Sequence, residues 1–244
     1  DETLTGIILA ASRGSELGEL TSTKPKAMAP VGGPPLLHRL VEQIRKEQVK
    51  DIVVIRGFGK EEVNAPDVRF VDNDEHAKTG ELFTLHQAKD SLKGELVISY
   101  GDILFRRYIL SSLLDIGDDI AIAVDAAWRE RASFNGAEDL VKTSAPHSLK
   151  YSQEKVWLER MDPTFDKDGV DGEWIGLFKT TVRGTAILAD ALEELSARED
   201  FRRLQLFDLF NHLIEKGVKL RVLFITGHWL DVDNLDDLSR AQAF

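Results

Sequence analysis

Three places along the chain carry side chains suited to handling phosphate. Lys26 sits in the short run KPKA, well past the apolar segment TGIILAA (5–11) and beyond a loop of small residues, ASRGSELG. Small residues let backbone approach a ligand closely, and consecutive N–H groups in such a loop can cradle phosphate oxygens. Asp102 follows the apolar run LVISYG. A carboxylate at a strand end can hold Mg2+, which takes one or two carboxylates together with substrate phosphates and water. Asp231 and Asp233 stand in WLDVDN, and alternate residues of extended backbone face the same way. One of them can serve as a second cation ligand while the other caps a helix starting near Asn234. Each feature also has a plain structural reading: a flexible connection, a solvated surface lysine, a turn or helix-capping aspartate.

Other phosphate signatures are missing. No Gly-Lys-Ser/Thr follows the loop, so it is not a Walker A motif. GFG (57–59) begins like a dinucleotide fingerprint but has no third glycine at the required place, and it reads as a surface turn. A flavin or nicotinamide oxidoreductase would need that fingerprint with a downstream acid.

For these residues to act together, a fold must gather them. In open α/β sheets, ligands collect outside the carboxyl ends of the strands. Strands are expected at 5–11, 49–57, 68–74, 94–102 and 119–126, with helices at 34–48, 79–92 and 108–116 between them. Pro34 or Pro35 suits the first turn of one helix, and Thr79 is placed to cap the next. This alternation predicts a Rossmann-like α/β fold, with a mixed, mostly parallel sheet and helices on both faces. From about Phe134 the rhythm changes. DLVKTSA, KVWLERMD and EWIGLFKTTV read as strands without long intervening helices, and predict an antiparallel edge or a small β insertion. Helices at 183–197 and 204–217, a strand at 219–227 and a helix from 234 complete the chain. No repeat or long polar linker divides it, so one domain over 1–244 is expected.

Composition narrows the partners. With 244 residues, 43% hydrophobic and 30% charged, the chain is ordinary for a globular protein with a sizeable core. The absence of cysteine excludes disulfides, cysteine–zinc sites and thiol nucleophiles, and fits a cytoplasmic setting. A net charge of -11 argues against nucleic-acid polymers and membrane surfaces. A small anionic ligand is compatible with it if positive charge is gathered locally. The chain opens on Asp1 rather than methionine, as expected of a piece of a longer chain.

Taken together, LAASRG, KPKAMAPVGGPPLLHRLVEQI, DNDEHAKTGELFTLHQA, SYGDILF, GEWIGLF and GHWLDVDNLDDLSRA resemble, in this order, the nucleotidyltransferases of the sugar-phosphate and choline-phosphate type. The variant is most similar to phosphonate cytidylyltransferases, in particular the domain fused behind phosphoenolpyruvate mutase. The resemblance implies transfer of CMP from CTP to a small phosphonate such as 2-aminoethylphosphonate, with Mg2+ as cofactor and such a fusion as covalent partner. A sugar-1-phosphate or choline-phosphate nucleotidyltransferase is the alternative, and a non-catalytic nucleotide-binding module a further one.

The resemblance also implies residue roles. The backbone of Leu9, Ala10, Ala11, Ser12, Arg13 and Gly14, with Gly101, would hold the nucleotide. Lys26 would contact the phosphates, and Asp102 and Asp233 would hold the metal. Thr79, Gly80 and Glu81 lie where the pyrimidine or the acceptor is bound. Glu173 and Trp174 lie where the acceptor enters, and an ammonium there would find Glu81, Glu173 or the Trp174 ring. Arg160 and Lys179 are further cations for the phosphonate. Arg106, Arg107 and His228 can be read as ligand contacts or as structure, and His38 as structure. One departure stands out. The family loop is Leu-Ala-Ala-Gly-x-Gly-x-Arg-Leu, whereas here Ser12 replaces the first glycine and Glu16 the arginine, leaving Arg13 to supply the charge.

Overall fold

The first apolar run becomes β1 (Leu4–Ala10), an interior strand of the sheet, which explains why it reads as continuously apolar rather than alternating. The computed structural model describes residues 3–12, 18, 21–22, 24–130, 139–150 and 154–244. β1 pairs in parallel with β2 (Asp51–Arg56) on one side and with β4 (Glu95–Tyr100) on the other. β3 (Arg69–Asp72) extends the sheet in parallel beyond β2. A second parallel pair joins β6 (Ile120–Asp125) to β10 (Arg221–Ile225). β9 (Gly172–Thr180) runs antiparallel between the two groups, against β4 and β6. The order is β10-β6-β9-β4-β1-β2-β3, a mixed, mostly parallel sheet.

The late strands thus split into two kinds. β9 is interior, not an edge. β7 (Leu140–Thr143) pairs with β9 and carries β8 (Leu158–Met161), and these two form the small antiparallel appendage.

Helices cover both faces. α1 (Leu36–Arg45) presents Leu36, Leu37, Leu40, Val41 and Ile44 to one core, each burial contributing ~1.5–3 kcal/mol. α3 (Arg107–Leu114) and α6 (Leu235–Gln242) join it there. The other face is covered by α2 (Glu81–His86), α4 (Val182–Ser196) and α5 (Leu206–Glu215). α2 is shorter than the pattern predicts, and Gly80, not Thr79, is its N-cap. The Thr79 hydroxyl instead donates to the Glu75 carbonyl and accepts from Asn73. Among the described residues no helix is long and apolar enough to cross a membrane.

One element has no counterpart in the sequence reading. β5 (Ile103–Phe105) and β11 (Trp229–Asp231) form a separate antiparallel ribbon, with Asp231 opposite Ile103. The Val232 N–H then donates to the Asp102 carbonyl at 2.8 Å. This ribbon joins the two aspartate motifs.

Candidate active site

Lys26 opens a short 3-10 turn, Lys26–Met28, whose Ala27 and Met28 are buried. The turn is fixed by hydrogen bonds from Met28 N to Pro25 O and from Ala29 N to Lys26 O. Anchored in this way, the lysine reaches back to the sheet. Its Nζ lies 2.6 Å from Asp102 Oδ2 and 3.3 Å from Asp233 Oδ1. Burial opposes the Lys26 charge, but Asp102 and then Asp233 outweigh it and hold the group above the ordinary lysine range. Asp233 is pushed up to about 7, first by burial and next by the charge of Asp231; Lys26 draws it down, and Asp102 adds repulsion. The lysine pairs most closely with Asp102, so its charge does not satisfy both carboxylates.

This arrangement fits a divalent cation. Asp102 and Asp233 converge on one point, the Lys26 Nζ, and burial together with the charges of Asp231 and Asp102 makes an ionised Asp233 costly there in spite of Lys26. Among the described residues no group of three His, Cys, Asp or Glu side chains is arranged as a metal cage. Two carboxylates that leave positions for substrate oxygens suit Mg2+ better than a closed protein site.

A cavity of about 1140 Å³ opens at this point. Leu9, Ala10, Ala11, Ser12 and Gly101 line it, as do Thr79, Gly80, Glu81, Glu173 and Trp174. Arg13, Gly14 and Glu16 lie outside the described residues. The cavity also takes in residues with no site role in the sequence reading, among them His76, Tyr100, Asp139, Gln205 and Phe58, the last from the GFG read as a surface turn. Tyr100 is central to one wall. Its hydroxyl lies 3.4 Å from Asp139 Oδ2, and burial, then the nearby charges of Asp139 and Glu81, raise its pKa well above the usual phenol value. Gly176 (φ +90) makes room for the ring, since a Cβ there would stand 2.2 Å from Tyr100 Cδ2.

Several expectations are corrected. Lys179 does not line the cavity; it is buried, and its Nζ donates to the Ile116 and Asp118 carbonyls, so it fastens a loop. Arg160 is half-exposed on β8, 3.9 Å from Asp162, and is likewise outside the cavity. Trp174 reaches the cavity but is 1% exposed, packed with Tyr100, Phe178 and Phe210, with its Nε1 donating to Leu177 O. It is a core residue, not an open platform for a cation. His228 is tied to the Tyr108 hydroxyl and His38 to Asn64. Arg106 and Arg107 bind the Phe244 carbonyl and Glu47. Neither aspartate caps the last helix, because Asn234 does so through Asp237 N.

The profile of the MobA-like NTP transferase domain matches residues 6–205. The chain belongs to the MobA-like NTP transferase family. This transferase is 26% identical to the CTP:phosphoglutamine cytidylyltransferase of Campylobacter jejuni, over 96% of this chain and 98% of the relative. It is 31% identical to the choline-phosphate cytidylyltransferase of Streptococcus pneumoniae, over 82% of this chain and 96% of that protein. In structure it is similar to the CTP:phosphocholine cytidylyltransferase of Streptococcus pneumoniae (TM-score 0.70, 18% identity, 99% and 98% covered). The inositol-1-phosphate CTP transferase of T. maritima is likewise similar (TM-score 0.74, 15% identity, 100% and 96% covered). These two likenesses concern the fold.

The transferase holds its second aspartate motif in place through a buried carboxylate. Asp125, fully buried at the end of β6, accepts from Ala127 N at 2.8 Å, Gly227 N at 3.1 Å and Trp229 Nε1 at 2.8 Å. Trp229 begins β11, so this contact fixes the start of the strand that carries Asp231. Asparagine at 125 would turn an NH2 toward either the indole N–H or the two backbone donors. Asp125→Asn is therefore expected to cost about 2 kcal/mol, read as a lower urea midpoint.

Proposed function

We propose that the protein transfers CMP from CTP to a small phosphonate carrying an ammonium group, such as 2-aminoethylphosphonate, with release of pyrophosphate, in phosphonate biosynthesis. The observation that carries this reading is the charge layout of the cavity. Lys26 is the one lysine or arginine among the described lining residues, while Glu81, Asp102, Asp139, Glu173, Asp231 and Asp233 all line it. The pair around Lys26 suits a cation shared with phosphates. The wall at Tyr100, with Asp139 on its hydroxyl and Glu81 lining the same cavity, suits a substrate that brings its own positive charge. A phenol donates one hydrogen bond, and an ammonium supplies three donors to the same acceptors.

The chemistry asks little of a base, because a phosphonate oxygen is already anionic near neutral pH. Alignment and charge neutralisation are what the site must provide. The backbone from Leu9 to Ser12, with Thr79 and Gly80, would hold the nucleotide. Lys26 would stabilise charge on the α-phosphate and on the departing pyrophosphate. Asp102 and Asp233 would hold Mg2+, which when bound supplies Lewis acidity and a template for the oxygens of both substrates. Glu81, Asp139 and Glu173 would orient the acceptor by its ammonium group.

Choline-phosphate is the second reading, favoured by the same acidic wall and by the Streptococcus pneumoniae relative. A sugar-1-phosphate brings no cation to that wall and fits it less well. The test is a pyrophosphate-release assay with four nucleotides against 2-aminoethylphosphonate, phosphocholine and glucose-1-phosphate, with and without Mg2+. Turnover is expected with CTP and the aminophosphonate, and to fall to background on chelation. Absence of turnover with CTP and any phosphonate, at high protein concentration, overturns the proposal.

A further inference from the structure

GFG (57–59), which reads as a surface turn, contributes to the cavity wall through Phe58. Gly57 explains how. A Cβ at this position would stand 2.8 Å from the Cβ atoms of both Ala11 and His76, and 2.9 Å from the Ala11 carbonyl oxygen. Glycine therefore lets the turn after β2 press directly against the loops after β1 and β3. Phe58 N–H donates to the Ala11 carbonyl at 3.1 Å, which ties the aromatic residue to the small-residue loop.

The third loop is fixed by Asn73, which is fully buried. Its N–H donates to Arg56 O, its Nδ2 donates to the Thr79 and Thr84 hydroxyls, and its Oδ1 accepts from Glu75 N. Every polar group of the side chain is engaged, so the segment carrying His76 and Thr79 is held in register. On this support the Phe58 and His76 rings meet edge to face, with centroids 6.2 Å apart and planes at 77°. An aromatic ring on a cavity wall, braced by three knitted loops, is what a flat heteroaromatic ligand stacks on.

We infer that Phe58, braced by His76, is the surface on which the nucleobase stacks. The inference rests on the reading of the protein as a nucleotide-using transferase. It concerns affinity for the base as a ring, not choice among bases, because every base offers a π-face.

Calorimetric titration of the whole protein with CTP and with inorganic tripolyphosphate, both with Mg2+, tests it. Phe58→Ala is expected to weaken CTP binding by ~10-fold or more and to leave tripolyphosphate binding unchanged. Phe58→Leu, which keeps apolar bulk without a π-face, is expected to behave like alanine, and Phe58→Tyr like the wild type. Undiminished CTP binding in the alanine or leucine variant overturns the inference. So does an equal loss for both ligands, which would mark a general disturbance of the site, or a tyrosine variant as weak as alanine. A wild-type protein that binds tripolyphosphate but not CTP would bring down the functional reading itself.

Discussion

Replacing Lys26 with alanine is expected to lower turnover by at least ~100-fold, the loss typical of removing one preorganised charge at a reacting centre. The structure ties this loss to a second, opposite effect. Lys26 Nζ sits against both Asp102 and Asp233, so in the metal-free protein it stands between the carboxylates that a divalent cation would use and offsets part of their charge. Taking the ammonium away leaves these carboxylates close together with Asp231 nearby. The metal-free Lys26→Ala protein should therefore melt at a lower temperature and bind Mg2+ more tightly than the wild type, while turning over far more slowly. Lys26→Arg should not rescue turnover, because a planar guanidinium does not replace a compact ammonium held between two oxygens. Pyrophosphate release, together with Mg2+ titration followed by thermal melting, measures both effects. Near wild-type turnover in the alanine variant would remove Lys26 from the chemistry; weaker Mg2+ binding would show that the lysine does not compete for the metal.

What the sequence made legible was local. The run before Asp102 and the run before the loop at Ala11 read as buried strands because both are covered on each face, and their carboxyl ends fall where an α/β sheet collects ligands. Lys26, Asp102 and Asp233 came from short motifs with a known chemistry, and their meeting required nothing more than the fold. Features that depend on distant pairing were not legible. β5 and β11 are three-residue strands that carry no periodicity of their own, yet they zip the two aspartate motifs together. Asp139 gave no signal as a wall residue, since its role arises from Tyr100, far away in sequence. Lys179 misled for the opposite reason. A lysine in a strand looks available to an anion, but here burial and two backbone carbonyls consume its donors. Phe58 was hidden by its flanking glycines, which look like a turn because the spatial neighbours that require them are not visible in the sequence.

Asp233→Asn should separate function from stability. Removing one of the two convergent carboxylates is expected to lower Mg2+-dependent turnover by ~100-fold, because a metal acting as Lewis acid contributes several kcal/mol. The same change should stabilise the metal-free protein at pH 8. The folded pKa of Asp233, about 7, lies above the ordinary carboxyl value of 3.8. The folded state therefore binds the proton more tightly than the unfolded chain does, and stability falls as pH rises between those two values. Above pH 7 the wild type carries the whole penalty of an Asp233 ionised in a partly buried place beside Asp231 and Asp102, and asparagine carries none of it. Asp233 is 43% exposed, so solvent screening reduces the penalty strongly. A residual ~1 kcal/mol corresponds to a melting temperature higher by ~2–4 °C for a chain of this length. The gain should shrink as pH is lowered from 7 and vanish near 4, where both states of the wild-type residue are protonated. Adding Mg2+ should reverse the ranking, since the cation stabilises the folded wild type and has lost a ligand in the variant. Melting curves at pH 5 and pH 8, each with and without Mg2+, read all of these effects. A variant less stable than the wild type at pH 8 without metal would show that Lys26 satisfies Asp233 after all, and wild-type turnover with unchanged Mg2+ dependence would show that the pair does not hold the cation.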